Sequence, residues 1–276
     1  MSPLSVFVDC WDRIERAKAH SKVIGETWSA FVADDPYDIG VSVDSDGAGR
    51  IWVEPRYGPM PKVLSLELGE LLYQLRAALD GSIRACAILE TGQDPPPNED
   101  RLEFPITFGP DYFKASAWNI APLTDKRRYI VESVQPYNIV KGLRPDYLNL
   151  SVNRSLALLQ EWARIDRHRR LHVMGSWASS ANPHLLLPHG TSLRYLLVKH
   201  DGLLEHESEI AEFEIEGWEW DMTMQANPDV VIDIALREPP PPAADNDTLG
   251  ERIRWMIINV GVIVKGLEDS FLEERV

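Results

Sequence analysis

Residues 151–172 read SVNRSLALLQEWARIDRHRRLH, and this stretch predicts the central helix of the fold. Apolar side chains recur at helical spacing in its first half, where Leu156, Leu159 and Ala163 follow one stripe. The last turns instead carry a dense group of Arg, Asp and His side chains. We therefore expect a long helix that is buried where it begins and ionisable where it ends.

Three further long helices are predicted from apolar side chains that recur at intervals of three and four, over residues 4–31, 64–89 and 248–271. Thr248 and Glu251 form a capping-box pattern at the start of the last of them. Gly81 lies inside the second and costs about 1 kcal/mol relative to Ala. It therefore indicates a kink or a close approach by another backbone.

The segments between these helices carry shorter patterns. Alternating apolar residues flank the sequence SDGAG and predict a hairpin near residues 38–56. Gly47 and Gly49 are expected to supply the positive φ values that its tight connection needs. Residues 102–106 alternate like a short strand, and residues 123–134 predict a short helix.

The second half of the chain carries strand patterns. Residues 193–198 are apolar on both faces, as expected of a strand at the centre of a sheet or covered on both sides. Residues 213–224 alternate apolar with mostly acidic side chains and predict a one-sided antiparallel ribbon. Residues 230–236 add a strand in the same style.

These elements predict an α+β fold, in which a bundle of long helices packs with an antiparallel β-sheet in a single domain of residues 1–276. Residues 1–173 are expected to be mainly helical apart from the hairpin, and residues 174–238 to be antiparallel β. The EPPPP segment, residues 238–242, is a stiff spacer. It allows the helix within residues 248–276 to return to the helical half.

Composition narrows the class of protein. The 43 acidic against 28 basic residues give a formal net charge of −15, which disfavours unspecific binding to nucleic acid. Cys10 and Cys86 are expected to be buried, reduced thiols, which favours a cytoplasmic protein. We expect no secretory signal at the amino terminus. The most apolar run, residues 255–264, is far shorter than the ~20 residues that span a bilayer.

The common signatures of nucleotide-binding, hydrolase, zinc-protease and redox sites are absent from the sequence, so no cofactor is predicted. The leading functional hypothesis is a cytoplasmic, non-enzymatic protein that binds another protein or a small ligand. Trp218 and Trp220, on the apolar face of the predicted ribbon, are expected to contact the partner. Core packing is the alternative role for both.

The charged end of the central helix, IDRHRRLH at residues 165–172, has several interpretations. A basic helix C-terminus stabilises the helix dipole by about a few tenths of a kcal/mol and requires no further function. His168 and His172 have the spacing of two metal ligands, with Glu161 or a carboxylate distant in sequence as a third. The arginines of the same turns would repel a cation, so no metal site is predicted.

Arg167 and His172, with His168 directly after the arginine, resemble the R-(N/H/D)-x3-H motif of HEPN ribonucleases. The resemblance implies that two copies of the motif meet across a homodimer and cleave RNA without a metal. Under this alternative Arg167 and His172 are catalytic, Asp166 and His168 assist them, and RNA is the partner. The predicted β half departs from that all-helical family. The C-terminal helix, which can dock on its own or on a neighbouring chain, also motivates the homodimer hypothesis.

Four segments also resemble, in this order, a set of proteins from actinobacteria and their phages: LRAALD at 75–80, EFPI at 103–106, QPY at 135–137 and IDRHRRLH at 165–172. This resemblance implies a bacterial or phage source and no particular activity. In those proteins the first segment often reads LRSALDH, which places a histidine where this chain has Gly81. A second arginine–histidine pair, between Arg76 and that position, is therefore absent from this sequence.

Overall fold

The structure is a computed structural model, and it describes residues 5–34, 36–56, 60–139, 151–168, 173–181, 184–199, 208–227, 230–236 and 248–273. Long helices and an antiparallel sheet confirm the α+β class. The chain divides into two compact units. The helical unit comprises residues 1–25, 65–171 and 238–276, and the sheet unit comprises residues 26–64 and 172–237. That these units act as one domain stays a prediction.

All four predicted long helices are present. The helices, in chain order, are α1 (Val8–Ala33), α2 (Lys62–Thr91), α3 (Pro110–Ala115), α4 (Asp125–Ser133), α5 (Val152–His168) and α6 (Leu249–Leu272). The short helix α4 lies within the range predicted for it. The boundary between the two units passes through α1 after Gly25 and through α2 after Leu64.

Helix α6 packs against α5 inside the helical unit. Thr248 caps its first turn, because its Oγ1 accepts a hydrogen bond from the Glu251 N–H at 3.2 Å. Asn259 and Ser155 are both buried and are joined by a hydrogen bond of 2.8 Å from Asn259 Nδ2 to Ser155 Oγ. Val260, on the apolar stripe of α6, is 1% exposed. The stripe is therefore covered within the chain, and its burial needs no second copy.

Residues 102–106 do not form the predicted strand. The Phe104 N–H donates to Asp80 Oδ1 of α2 at 3.0 Å. Gln135, which is fully buried, accepts from the Thr107 N–H at 2.9 Å and donates to the Pro105 carbonyl at 2.8 Å. Side chains thus satisfy the backbone groups that a neighbouring strand would otherwise have bonded.

The strands belong mainly to the sheet unit. They are β1 (Tyr37–Val43), β2 (Ala48–Pro55), β3 (Val173–Ala181), β4 (His184–Leu186), β5 (Ser192–Val198), β6 (Ser208–Glu216), β7 (Gln225–Asn227) and β8 (Val230–Leu236). The four-stranded antiparallel sheet has the order β1-β2-β6-β5, and β3 with β8 and β4 with β7 form two-stranded antiparallel sheets. The core of the four-stranded sheet contains the buried side chains of Ile51, Val53, Phe213 and Ile215. Strand β8 confirms the prediction for residues 230–236.

The predicted hairpin is confirmed as β1–β2, but one of its glycines has a different role. Gly47 has a φ of +88° and occupies the turn. Gly49 lies in the ladder opposite Val43 and is not among the glycines with positive φ. The ring of Phe213 occupies the space that a Cβ atom at Gly49 would need. The expectation of positive φ at Gly49 is therefore wrong, and its small size accommodates β6 instead.

The strand over residues 193–198 is present, but the prediction that it lies at the sheet centre is wrong. Among the described strands, β5 is an edge of the four-stranded sheet. Tyr195 and Leu197 are 44% and 52% exposed. The apolar side chains on both faces of β5 therefore do not show that both faces are buried, because several of them are exposed.

The ribbon predicted over residues 213–224 ends halfway. Phe213 and Ile215 are buried in β6, as predicted, but the strand stops at Glu216. Gly217 follows with a φ of +80°, and the chain then turns with a hydrogen bond from the Met222 N–H to the Glu219 carbonyl at 3.0 Å. The alternation after Gly217 is therefore not a strand.

Candidate functional site

A groove of about 960 Å³ lies in the helical unit between α1, α2 and the C-terminal turns of α5. Charged side chains of both signs line it. The arginines are Arg13, Arg16, Arg76, Arg84 and Arg167. The carboxylates are Asp9, Asp12, Asp80, Glu103 and Asp166. The groove is thus a polar site of balanced formal charge.

Small residues on α2 make room for the groove. Gly69, Ala77 and Gly81 fall on one stripe of the helix and line the groove. A Cβ atom at Gly69 would lie 2.6 Å from Asp166 Oδ2, and one at Gly81 would lie 3.2 Å from Cys10 Sγ. The close approach by another backbone that was predicted at Gly81 is therefore wrong: the near neighbour is a side chain of α1, and α2 continues through this position without a break.

The neighbouring stripe of α2 is charged. Arg76 Nη2 donates to Glu103 Oε1 at 2.8 Å, to Asp80 Oδ1 at 3.1 Å and to the Phe104 carbonyl at 3.2 Å. The other terminal nitrogen of Arg76, Nη1, is buried and has no hydrogen-bond partner among the described residues. Leaving a buried cationic donor unpaired is costly. Nη1 is therefore a donor for an acceptor that the described residues do not supply.

The charge of Asp80 responds to this environment. Burial raises the pKa of the Asp80 carboxyl above its usual value, whereas Arg76, the Phe104 N–H and Arg167 act in the opposite direction. Water screens part of these effects, because 36% of the side chain is exposed. Arg167 and Asp80 both line the groove.

Helix α1 supplies the opposite wall. Its charged lining residues recur at intervals of three and four and are Asp9, Asp12, Arg13 and Arg16. Arg13 Nη1 donates to Gln74 Oε1 at 3.1 Å, and its guanidinium carbon lies 5.8 Å from the centroid of the Tyr73 ring. This contact fixes Arg13 against α2.

Arg16 and Arg167 make no ion pair with a carboxylate of the described residues. Arg167 Nε donates only to the Ala163 carbonyl of its own helix, at 3.3 Å. Arg84, by contrast, is held by Asp94 and Glu99. A guanidinium offers five N–H donors in a planar fork that suits carboxylate and phosphate groups. Arg16 and Arg167 are therefore the groove cations most available to an anionic ligand.

Two of the four residues proposed as catalytic lie in this groove. Asp166 packs on Gly69, and Arg167 lies beside it. His168 is exposed and is not one of the lining residues. His172 lies outside the described residues.

The two tryptophans proposed as binding residues lie in the sheet unit. Trp218 is half-buried and packs against the core around Phe213 and Ile215. Trp220 is 83% exposed. Trp218 thus has the packing role that was the alternative for both, while Trp220 presents its ring at the surface.

Described residues of the segments LRAALD, EFPI, QPY and IDRHRRLH lie together in the helical unit. LRAALD supplies Arg76 and Asp80, and EFPI bonds to them through Glu103 and Phe104. QPY supports EFPI through the buried Gln135. IDRHRRLH contributes Asp166 and Arg167 to the same groove.

The α1 wall was missed by sequence reasoning. Asp12 and Arg16 belong to a charged stripe that is typical of a solvated helix face. Nothing in the sequence separates a stripe that faces bulk water from one that faces a groove. Only the pairing of α1 with the small residues of α2 makes that distinction.

No group of three or more His, Cys, Asp or Glu side chains in the described part of the chain is arranged to hold a metal ion. Over the same residues, no helix has the length and apolarity needed to cross a membrane. Comparisons of the chain with family models, curated proteins and solved structures found no match. The groove is therefore the basis for inferring function.

Proposed function

We propose that this protein is a cytoplasmic binding protein whose ligand enters the groove of the helical unit and is held there through an oxyanion. The main support for this proposal is that Arg16 and Arg167 line one groove and have no carboxylate partner among the described residues. Charge-assisted hydrogen bonds from guanidinium groups to carboxylate or phosphate are among the strongest in proteins. Arg76 lines the same groove and adds a third positive charge beside these two arginines.

The surroundings support a site that is organised before the ligand arrives. Arg76 is held by Asp80, Glu103 and the Phe104 carbonyl, so its guanidinium plane is fixed. Asp166 is held against Gly69 of α2 by close packing. A guanidinium fixed in advance loses less conformational entropy when a ligand binds.

Thermal unfolding in the presence of inorganic phosphate or citrate tests the oxyanion site. A ligand that binds only the folded state raises the free energy of unfolding by RT ln(1 + [L]/Kd), and the unfolding temperature rises with it. We expect a rise for the wild-type protein that is lost in the Arg16→Ala, Arg167→Ala double variant. Arg164→Ala is the matched control, because Arg164 lies on the same helix, is 54% exposed and is bonded to Glu161. An equal rise in the double variant would contradict the proposal.

A second proposed function is a metal-independent ribonuclease that uses Arg167 and His172, with Asp166 and His168 assisting. The observation that favours it is the position of Asp166 and Arg167 in a groove, where a phosphate could be bound. This function requires a homodimer, since two copies of the motif must meet. Incubation with total RNA, with and without EDTA, tests it: cleavage that resists EDTA and is lost in Arg167→Ala supports it. Intact RNA, or a monomer of about 31.3 kDa by light scattering, rejects it.

A further inference from the structure

We infer that the ligand of the groove is an extended polypeptide segment of mixed charge, laid along α2. The inference rests on the proposed function, because an acidic group of the segment would occupy the oxyanion site at Arg16 and Arg167. Beyond the proposed function, the inference specifies that the partner is a polypeptide and that its chain runs along the axis of α2.

The length of the groove favours an extended ligand. A second cavity of about 570 Å³ shares Gly69, Tyr73 and Asp166 with the main groove and continues along α2 to Ser65. From Ser65 to Arg84 the helix rises by ~29 Å at about 1.5 Å per residue. An extended chain advances about 3.3 Å per residue, so roughly nine residues cover this distance. The main groove alone is at the upper end of the range for small-molecule pockets.

The charge of the lining favours polypeptide over nucleic acid. Glu70 of the second cavity adds a carboxylate to those of the main groove, so carboxylates outnumber arginines along the combined lining. A nucleic acid brings a phosphate for every nucleotide and would place some of them beside these carboxylates, since the six carboxylates alternate with only five arginines. A polypeptide carries both charge signs and can place each opposite its complement.

The part of α1 that lines the groove changes from acidic, at Asp9 and Asp12, to basic, at Arg13 and Arg16. This change gives the charges of the bound segment an order along the groove. Asp9 and Asp12 lie toward Gly81, because Cys10 packs against that glycine. Arg16 lies one helical turn beyond Arg13, which is bonded to Gln74. Along the α1 wall, a basic residue of the segment therefore pairs toward the Gly81 end and an acidic residue toward the Gly69 end. Arg84 of α2 and Asp166 of α5 place the opposite charges on the facing walls, so the segment needs both charge signs at each end.

Selection from a phage-displayed library of random nine-residue peptides, followed by fluorescence anisotropy with the enriched peptides, tests the inference. We expect peptides that carry both charge signs, and binding that weakens by about tenfold to a hundredfold in Arg167→Glu, since charged hydrogen bonds are lost and repulsion replaces them. Ala77→Trp fills the groove and should abolish binding. Ala30→Trp is the matched control, because Ala30 is an exposed residue of α1 outside the groove.

The competing ligand classes give different results in the same assay. Displacement of the peptide by a nine-nucleotide oligouridine would contradict the inference and favour RNA. Peptides that bind Ala77→Trp as well as the wild type would also contradict it. If no peptide is enriched while phosphate still raises the unfolding temperature through Arg16 and Arg167, the inference fails and the proposed oxyanion site stands. If neither response occurs, both fail. Circular dichroism of each variant confirms that the helices are retained.

Discussion

Arg127 of α4 gives the sharpest test of how the helical unit is held together. Its side chain is 1% exposed, and its Nη1 donates to Glu90 Oε1 at 2.6 Å and to Thr124 Oγ1 at 2.9 Å. Its Nε and Nη2 donate to the hydroxyl and carbonyl of Ser270 at 3.0 and 3.3 Å. The guanidinium carbon also lies 3.4 Å from the centroid of the Phe271 ring. One side chain thus joins α2, α4 and α6.

Arg127→Met removes the cation and leaves most of the side-chain volume. The Glu90 carboxylate, 16% exposed, then keeps only the Thr124 N–H at 3.3 Å among the donors seen here. Breaking a buried ion pair by removing one partner costs about 3–5 kcal/mol. For a chain of this size that corresponds to a fall in unfolding temperature on the order of 10 °C. Urea denaturation followed by circular dichroism measures the free energy of unfolding directly.

Two further variants decide whether the reasoning is correct. Arg164→Met removes an exposed arginine from its pair with Glu161 and should cost less than ~1 kcal/mol. Adding Glu90→Leu to Arg127→Met removes both charges of the buried pair, so the double variant should recover a large part of the lost stability. The reasoning is refuted if Arg127→Met costs no more than Arg164→Met. The reasoning is also refuted if Glu90→Leu lowers the free energy of unfolding further.

Four other expectations follow from buried or constrained positions. Val260→Asp places an unpartnered charge in the core of the helical unit and should unfold the protein, seen as loss of helical circular dichroism, without a preceding dissociation step in light scattering. Gly47→Ala should cost more than about 1 kcal/mol in urea denaturation, because φ is positive and a β6 carbonyl occupies the Cβ position. Cys10, whose pKa burial raises to about 12, and Cys86, whose pKa burial also raises, should react with Ellman's reagent only after unfolding. The pKa of Asp80 is raised in the folded state above its usual value of 3.8, so the folded protein binds the proton more tightly than the unfolded chain does. This stabilisation is complete below pH 3.8 and is lost as the pH rises through the folded pKa. Asp80→Asn does not titrate, so its free energy of unfolding should increase relative to that of the wild type between about pH 3.5 and 7.

The helices could be predicted because each carries its own evidence. The apolar stripe of α5 specifies a period and a buried face without reference to the rest of the chain, and Leu156 and Leu159 are buried as expected. The Thr248 cap is likewise local, since its donor lies three residues away. Such features need no knowledge of tertiary neighbours.

The errors arose where a partner distant in sequence decides the structure. Residues 102–106 alternate like a strand, but Asp80 and Gln135 bond their backbone, and no local pattern identifies those partners. The alternation after Gly217 has the period of a strand, but the positive φ of that glycine ends the ladder. A period of two predicts two faces and cannot say whether a neighbouring strand exists.

The candidate site could also be predicted only in part from the sequence. Asp166 and Arg167 attracted notice because they stand in a dense charged run, whereas Arg16 stands in an ordinary amphipathic helix. The groove exists because small residues of α2 face both α1 and α5. That property belongs to three helices at once, so no single stretch of sequence displays it.

Gly81 bears on the choice between the two proposed functions. A histidine at this position, as in the LRSALDH segments that LRAALD is expected to resemble, would place an imidazole on α2 at the Cys10 side of the groove. In this chain a Cβ atom there would already lie 3.2 Å from Cys10 Sγ, so any side chain at this position requires the Cys10 side chain to shift. Glycine leaves the groove open at this end and removes a proton-transfer group one turn from Arg76. His168 is exposed and outside the lining, so acid–base chemistry inside the groove would fall to its carboxylates, of which Asp80 has a raised pKa. Arg16 and Arg167 are both observed in the groove, whereas His172 lies outside the described residues, which is why anion binding is the function proposed first.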